Sequence, residues 1–169
     1  MPDFSRAIAE FTILAFAGLL VAAAASDWRS LTVPNRYSLA ILALFPSYVI
    51  VMGGTVDWHL HLAFAAGAFV LGFALFTLRL CGGGDVKLFA AATLWAGPQL
   101  IVPLVFYTSI CGAIMALVLW FHHKYQRAGI PANFLFVRSE ANFAKQPMPY
   151  AVAIAAGGLF VALKLLSQG

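Results

Sequence analysis

Charged side chains are scarce in this sequence: Asp, Glu, Lys and Arg make up 9% of its 169 residues, against 63% hydrophobic. A soluble domain carries about 25% charged residues, and a chain with a mean hydropathy of +0.92 would aggregate in water. Cysteine is nearly missing. Cys81 and Cys111 stand apart with no CxxC pair, which excludes a zinc ribbon and a dithiol redox centre and leaves two small buried hydrophobes. No basic cluster is interleaved with aromatic residues, so a nucleic-acid partner is excluded as well. No metal or other cofactor is expected.

What the chain does have is apolar runs, which fall at Ile8 to Ala25, Tyr37 to Gly53, Leu60 to Leu80, Val86 to Ala96, Leu100 to Phe121 and Tyr150 to Leu166. A membrane-crossing helix needs roughly 20 apolar residues. The pattern predicts an all-α, polytopic bundle of about six spans, with residues 1–169 forming a single membrane-embedded domain. The fourth run is short and reaches across the hydrocarbon only if flanking residues join it. The N-terminal run resembles a signal peptide, but Asp3, Glu10 and its length predict a retained span.

Loop charges set the orientation. With six spans, Arg29, Arg36, Arg79, Lys87, Lys124, Arg127, Arg138 and Lys145 share one side, while Arg6 and Lys164 lie on the other. The positive-inside rule then puts the larger group in the cytoplasm and both termini outside.

On this topology "SDWRSLTVPNR" and "RLCGGGDVK" are cytoplasmic loops, so Asp27 and Asp85 meet at one membrane face. A carboxylate near membrane depth points to function by default. Two carboxylates in one site do not both ionise easily; one holds a proton while the other acts as a base, which is the chemistry of an aspartic protease. Gly82, Gly83 and Gly84 are expected to form turns closed to other residues and to let a substrate backbone approach Asp85. The simpler alternative is that Asp85 only caps the fourth helix and Asp27 is an interfacial acid beside Arg29. Pro34 and Asn35 open the second span, with Asn35 expected to cap it or to bond Asp27.

Together these motifs resemble the type IV prepilin peptidases, GxGD-type intramembrane aspartic proteases, and within them the short form serving Tad (Flp) pilus assembly. "DWRSLTVPN" is similar to the family's first aspartate followed by hydrophobic-Pro-Asn, and "GGGDVKLFAA" to its glycine-rich second-aspartate motif. "MPYAVAIAAGG" resembles the family's Pro-Tyr-Gly segment through Pro149 and Tyr150, with Ala151 where glycine is usual. The resemblance implies catalytic roles for Asp27 and Asp85. It also implies cleavage on the cytoplasmic side of a bacterial inner membrane, after a glycine that follows a short basic leader and precedes a hydrophobic helix. Long family members also methylate the new N-terminus through a domain with paired CxxC motifs. This chain lacks those cysteines, so peptidase activity alone is expected.

Several residues read more simply as structure. Lys87 either meets substrate or the dyad, or snorkels to lipid headgroups. His59 and His61, and the pair His122 and His123, are expected to be interfacial. Trp28, Trp58, Trp95, Trp120, Tyr37 and Tyr150 are expected to form an interfacial aromatic belt. The connection over 122–149 is expected to be a surface loop or a lid. Two rival functions remain: a proton-coupled transporter or channel, which would want polar residues at mid-membrane, and a noncatalytic component of a pilus or secretion system.

Overall fold

The computed structural model describes residues 2–127 and 148–168, which form five helices: α1 (Pro2–Ser30), α2 (Asn35–Val51), α3 (Trp58–Thr77), α4 (Gly83–Arg127) and α5 (Tyr150–Gln168). No strand occurs among the described residues. The 122–149 connection, expected as a surface loop or lid, lies mostly outside them. Stretches of α1, α3, α4 and α5 are long and apolar enough to cross a bilayer, and α2, at 17 residues, is shorter. The chain is an integral membrane protein.

Five helices stand where six were expected because the fourth and fifth apolar runs are joined in α4, whose helical backbone is broken only at Gly97 (φ 57°, ψ −166°). That conformation is essentially restricted to glycine. Residues at equal distances on either side of Gly97 meet: Asp85 and Ser109 line one cavity, and Phe89 and Val105 another. In a straight helix Asp85 and Ser109 would be about 36 Å apart. α4 is therefore a hairpin with arms 83–96 and 98–127, and residues 83–85 lengthen the short fourth run to roughly 21 Å.

Proline and histidine close this turn. The Leu94 carbonyl would ordinarily accept from the backbone N–H of residue 98, but Pro98 has none. The Nδ1–H of His61 donates to it instead, at 2.7 Å. A side chain at Gly97 would collide with the His61 ring. His61 is thus buried at a turn rather than interfacial, and His122 is buried too.

Packing follows from this hairpin. α5 lies against α4 and α1, α3 covers α4, and α2 bridges α1 and α4. Gly157 and Gly158 admit Leu104 and Thr108 of α4 and Leu20 of α1 to close contact with α5. Trp95, expected in the interfacial belt, is instead fully buried. It stacks on Phe16 with centroids 4.5 Å apart, touches Phe45 and Tyr48, and donates its indole N–H to the Ile41 carbonyl at 3.1 Å. The hairpin turns Trp95 inward, and the hydrogen bond satisfies its one polar atom. Trp28, Trp58, Trp120 and Tyr150 remain exposed.

Candidate active site

The end of the bundle opposite Gly97 gathers the end of α1 and the starts of α2, α4 and α5. Asp27 occupies the last turn of α1, where the Leu31 N–H bonds its carbonyl at 2.7 Å and Leu31 turns to φ 52° to stop the helix. The Asp27 side chain is only 4% exposed, and its Oδ2 accepts the backbone N–H of Ala151 at 3.0 Å. The first N–H groups of a helix have no partner within it, and a carboxylate is favoured at that positive end. Asp27, on the C-terminal turn of one helix, therefore caps the N-terminus of another helix, 124 positions along the chain.

Asp85 is held locally. It is the third residue of α4, half-buried, and its carboxylate accepts the backbone N–H of Gly82, the residue that caps the helix. This is the return bond of a capping box. The capping role and proximity to Asp27 hold together, because the two carboxylates lie within electrostatic reach of each other.

The three glycines provide clearance rather than unusual turns, since none of them has a positive φ. A Cβ on Gly82 would fall 2.7 Å from the Asp85 carboxylate, one on Gly83 3.3 Å from the Phe76 ring, and one on Gly84 3.0 Å from the Val33 carbonyl. Gly84 thus lets the segment before Pro34 seat against the start of α4. Positive φ falls instead on Leu31, within the first aspartate motif just after α1, and on Arg79, in the loop leading to the second.

Asn35 departs from expectation. Pro34 occupies the cap position of α2 without a side-chain cap bond, and the Asn35 amide oxygen accepts from Lys87 Nζ at 3.0 Å. Lys87 is exposed and tied to α2. Pro149 is buried just before α5, with its carbonyl taking the Val152 N–H at 3.2 Å. Tyr150 and Asp85 share a mainly apolar cavity of about 300 Å³ between α3, both arms of α4 and α5. Its walls include Leu75, Phe89 and Ile154, and it can take an apolar side chain beside Asp85.

Sequence reasoning missed the Ala151 N–H, the contact of Val33 with Gly84, and Thr108 in the wall of this cavity. A backbone donor leaves no mark in side-chain composition. Its one signal is the Pro149–Tyr150 start of a helix after a polar connection, because every helix start offers free N–H groups.

A prepilin leader peptidase/N-methyltransferase of Bacillus subtilis (strain 168) is 28% identical over 162 residues, covering 95% of this chain, and the match spans 58% of the relative's length. No solved structure matches. The type IV leader peptidase family matches residues 14–117, a stretch containing both Asp27 and Asp85. The chain belongs to the type IV leader peptidase family.

Proposed function

We propose that this protein is an aspartic endopeptidase that removes leader peptides from prepilin-like proteins of the Tad (Flp) kind at the cytoplasmic face of a bacterial inner membrane. It acts as one membrane-embedded unit with both termini outside. The observation that carries the reading is the placing of two carboxylates within electrostatic reach at one end of an apolar bundle, each beside the start of a helix.

In this mechanism one carboxylate takes a proton from water as the oxygen attacks the scissile carbonyl, and the protonated partner donates to the developing oxyanion or leaving amine. The pair titrates as a unit. Gly82 keeps the Asp85 carboxylate in place, Gly83 and Gly84 let α4 approach its neighbours, and Pro34, Asn35 and Lys87 fix the start of α2 against α4. Pro149 and Tyr150 place the Ala151 donor. The basic leader stays in the aqueous phase while the hydrophobic helix of the substrate remains in the bilayer, which brings their junction to the aspartate end. The proposal covers peptidase activity only, in keeping with two cysteines that form no CxxC pair.

The test is co-expression with the small pilin-like proteins of the same genome, following their masses alongside Asp27→Asn and Asp85→Asn variants shown to insert. Each variant is expected to lose about 10²- to 10⁴-fold in cleavage, the range of general acid–base contributions. Cleavage surviving in either variant overturns the dyad. No cleavage of any candidate by the intact protein overturns the substrate assignment and favours a transporter or scaffold.

A further inference from the structure

A second cavity, of about 310 Å³, lies between α2, α3 and the first arm of α4, on the far side of that arm from the cavity shared by Asp85 and Tyr150. Its lining changes chemistry with depth. At the aspartate end Lys87 and Asn35 are joined by their hydrogen bond. One turn deeper on α2 is Ser38, 4% exposed, with its hydroxyl oxygen closed off from the crevice. Beyond it the walls are apolar, with Leu39, Leu42 and Phe69 all partly open to the surrounding membrane. Asn35, Ser38 and Leu42 stand at i, i+3 and i+7, one helix face at increasing depth, separated by about 4.5 Å and then 6 Å along the axis.

A cation at the polar end followed by an apolar channel is the order of groups in a glycerophospholipid. We propose that this crevice is a glycerophospholipid seat. The phosphate accepts from the Lys87 ammonium, which spends only one of its three donors on Asn35. An acyl chain fills the channel past Leu42 and Phe69.

Charge favours this occupant over a substrate leader, because a basic segment would be repelled by Lys87. The seat is separate from the dyad but touches its surroundings, since Lys87 lies two residues after Asp85 on α4.

The test is native mass spectrometry of delipidated protein titrated with dioleoylphosphatidylglycerol or with dioleoylglycerol, which has the same chains and no phosphate. The expected result is one retained phospholipid, with dioleoylglycerol binding about tenfold or more weakly, as loss of a charge-assisted contact requires. Lys87→Gln should remove the preference, and Leu42→Trp should exclude both by filling the channel. Leu39→Trp serves as a second channel variant if Leu42→Trp does not fold. Equal retention of the two lipids, or unaltered binding in a folded channel variant, overturns the proposal. So does stoichiometric displacement of the lipid by a peptide carrying a prepilin leader and helix start, which would make the crevice a substrate site.

Discussion

The two ends of the bundle solve different problems with the same few residue types. At the Gly97 end a carbonyl orphaned by Pro98 is satisfied by a buried histidine, and an aromatic cluster centred on Trp95 fills the space around it. At the aspartate end two carboxylates take the donors that helix starts leave free. One end is packed around a buried aromatic cluster, with a cavity of about 220 Å³ beside it lined by Asp57, His61 and Gln99 among others. The other holds two acids within electrostatic reach of each other, one of them lining a mainly apolar cavity of about 300 Å³. Substitutions at the first end should therefore change stability, while those at the second should change activity with the fold retained.

The sharpest way to break this division is Gly97→Ala. A methyl group there meets the His61 ring in a backbone conformation foreign to alanine, and the combined cost is on the order of 3 kcal/mol or more. A large fall in the thermal midpoint in detergent is expected, and an unchanged midpoint would refute the role given to the hairpin. His61→Phe keeps an aromatic ring but withdraws the donor from Leu94. It should cost about 1–3 kcal/mol, the penalty of an unsatisfied buried group, again read by thermal unfolding.

Gly82→Ala probes the other end. Its methyl group displaces the Asp85 carboxylate and weakens the Gly82 N–H bond, so cleavage should fall about tenfold, in keeping with one hydrogen bond to a charged acceptor. The thermal midpoint should barely move; a fall in midpoint with normal cleavage would reverse the division. The smallest effect is expected from Arg79→Gly. Arg79 ends α3 at φ 60°, with its own N–H on Phe76 and that of Leu80 on Leu75. Glycine there should stabilise the protein by about 1 kcal/mol, the strain of a left-handed non-glycine residue, without altering cleavage.

Much of this was legible beforehand. Apolar runs located the helices, and the gap between the fourth and fifth runs fell at the Gly97–Pro98 turn. Asp27 and Asp85 stood out because an acid beside apolar helices is conspicuous. The inward faces were not legible. A helix apolar around its whole circumference shows no stripe to mark the buried side, so Trp95 and His61 resembled interfacial residues although the hairpin turns them inward. The glycines before Asp85 suggested unusual dihedrals, whereas what they supply is room for Val33, Phe76 and the carboxylate, a property of neighbours distant in sequence. The Ala151 donor was hidden for the same reason.

The folded-back α4 also makes the position of Asp85 a matter of phase. Eleven residues separate it from Gly97, which the opposing arm and His61 hold in place. Inserting one residue in that interval would rotate the carboxylate by about 100° around its helix and shift it about 1.5 Å along the axis, carrying it away from Asp27. Inserting a full seven residues, close to two turns, would restore its bearing but raise it by about 10 Å. The spacing between turn and acid acts as a molecular ruler, and the bearing of Asp85 depends on the length of this arm as firmly as on the aspartate itself.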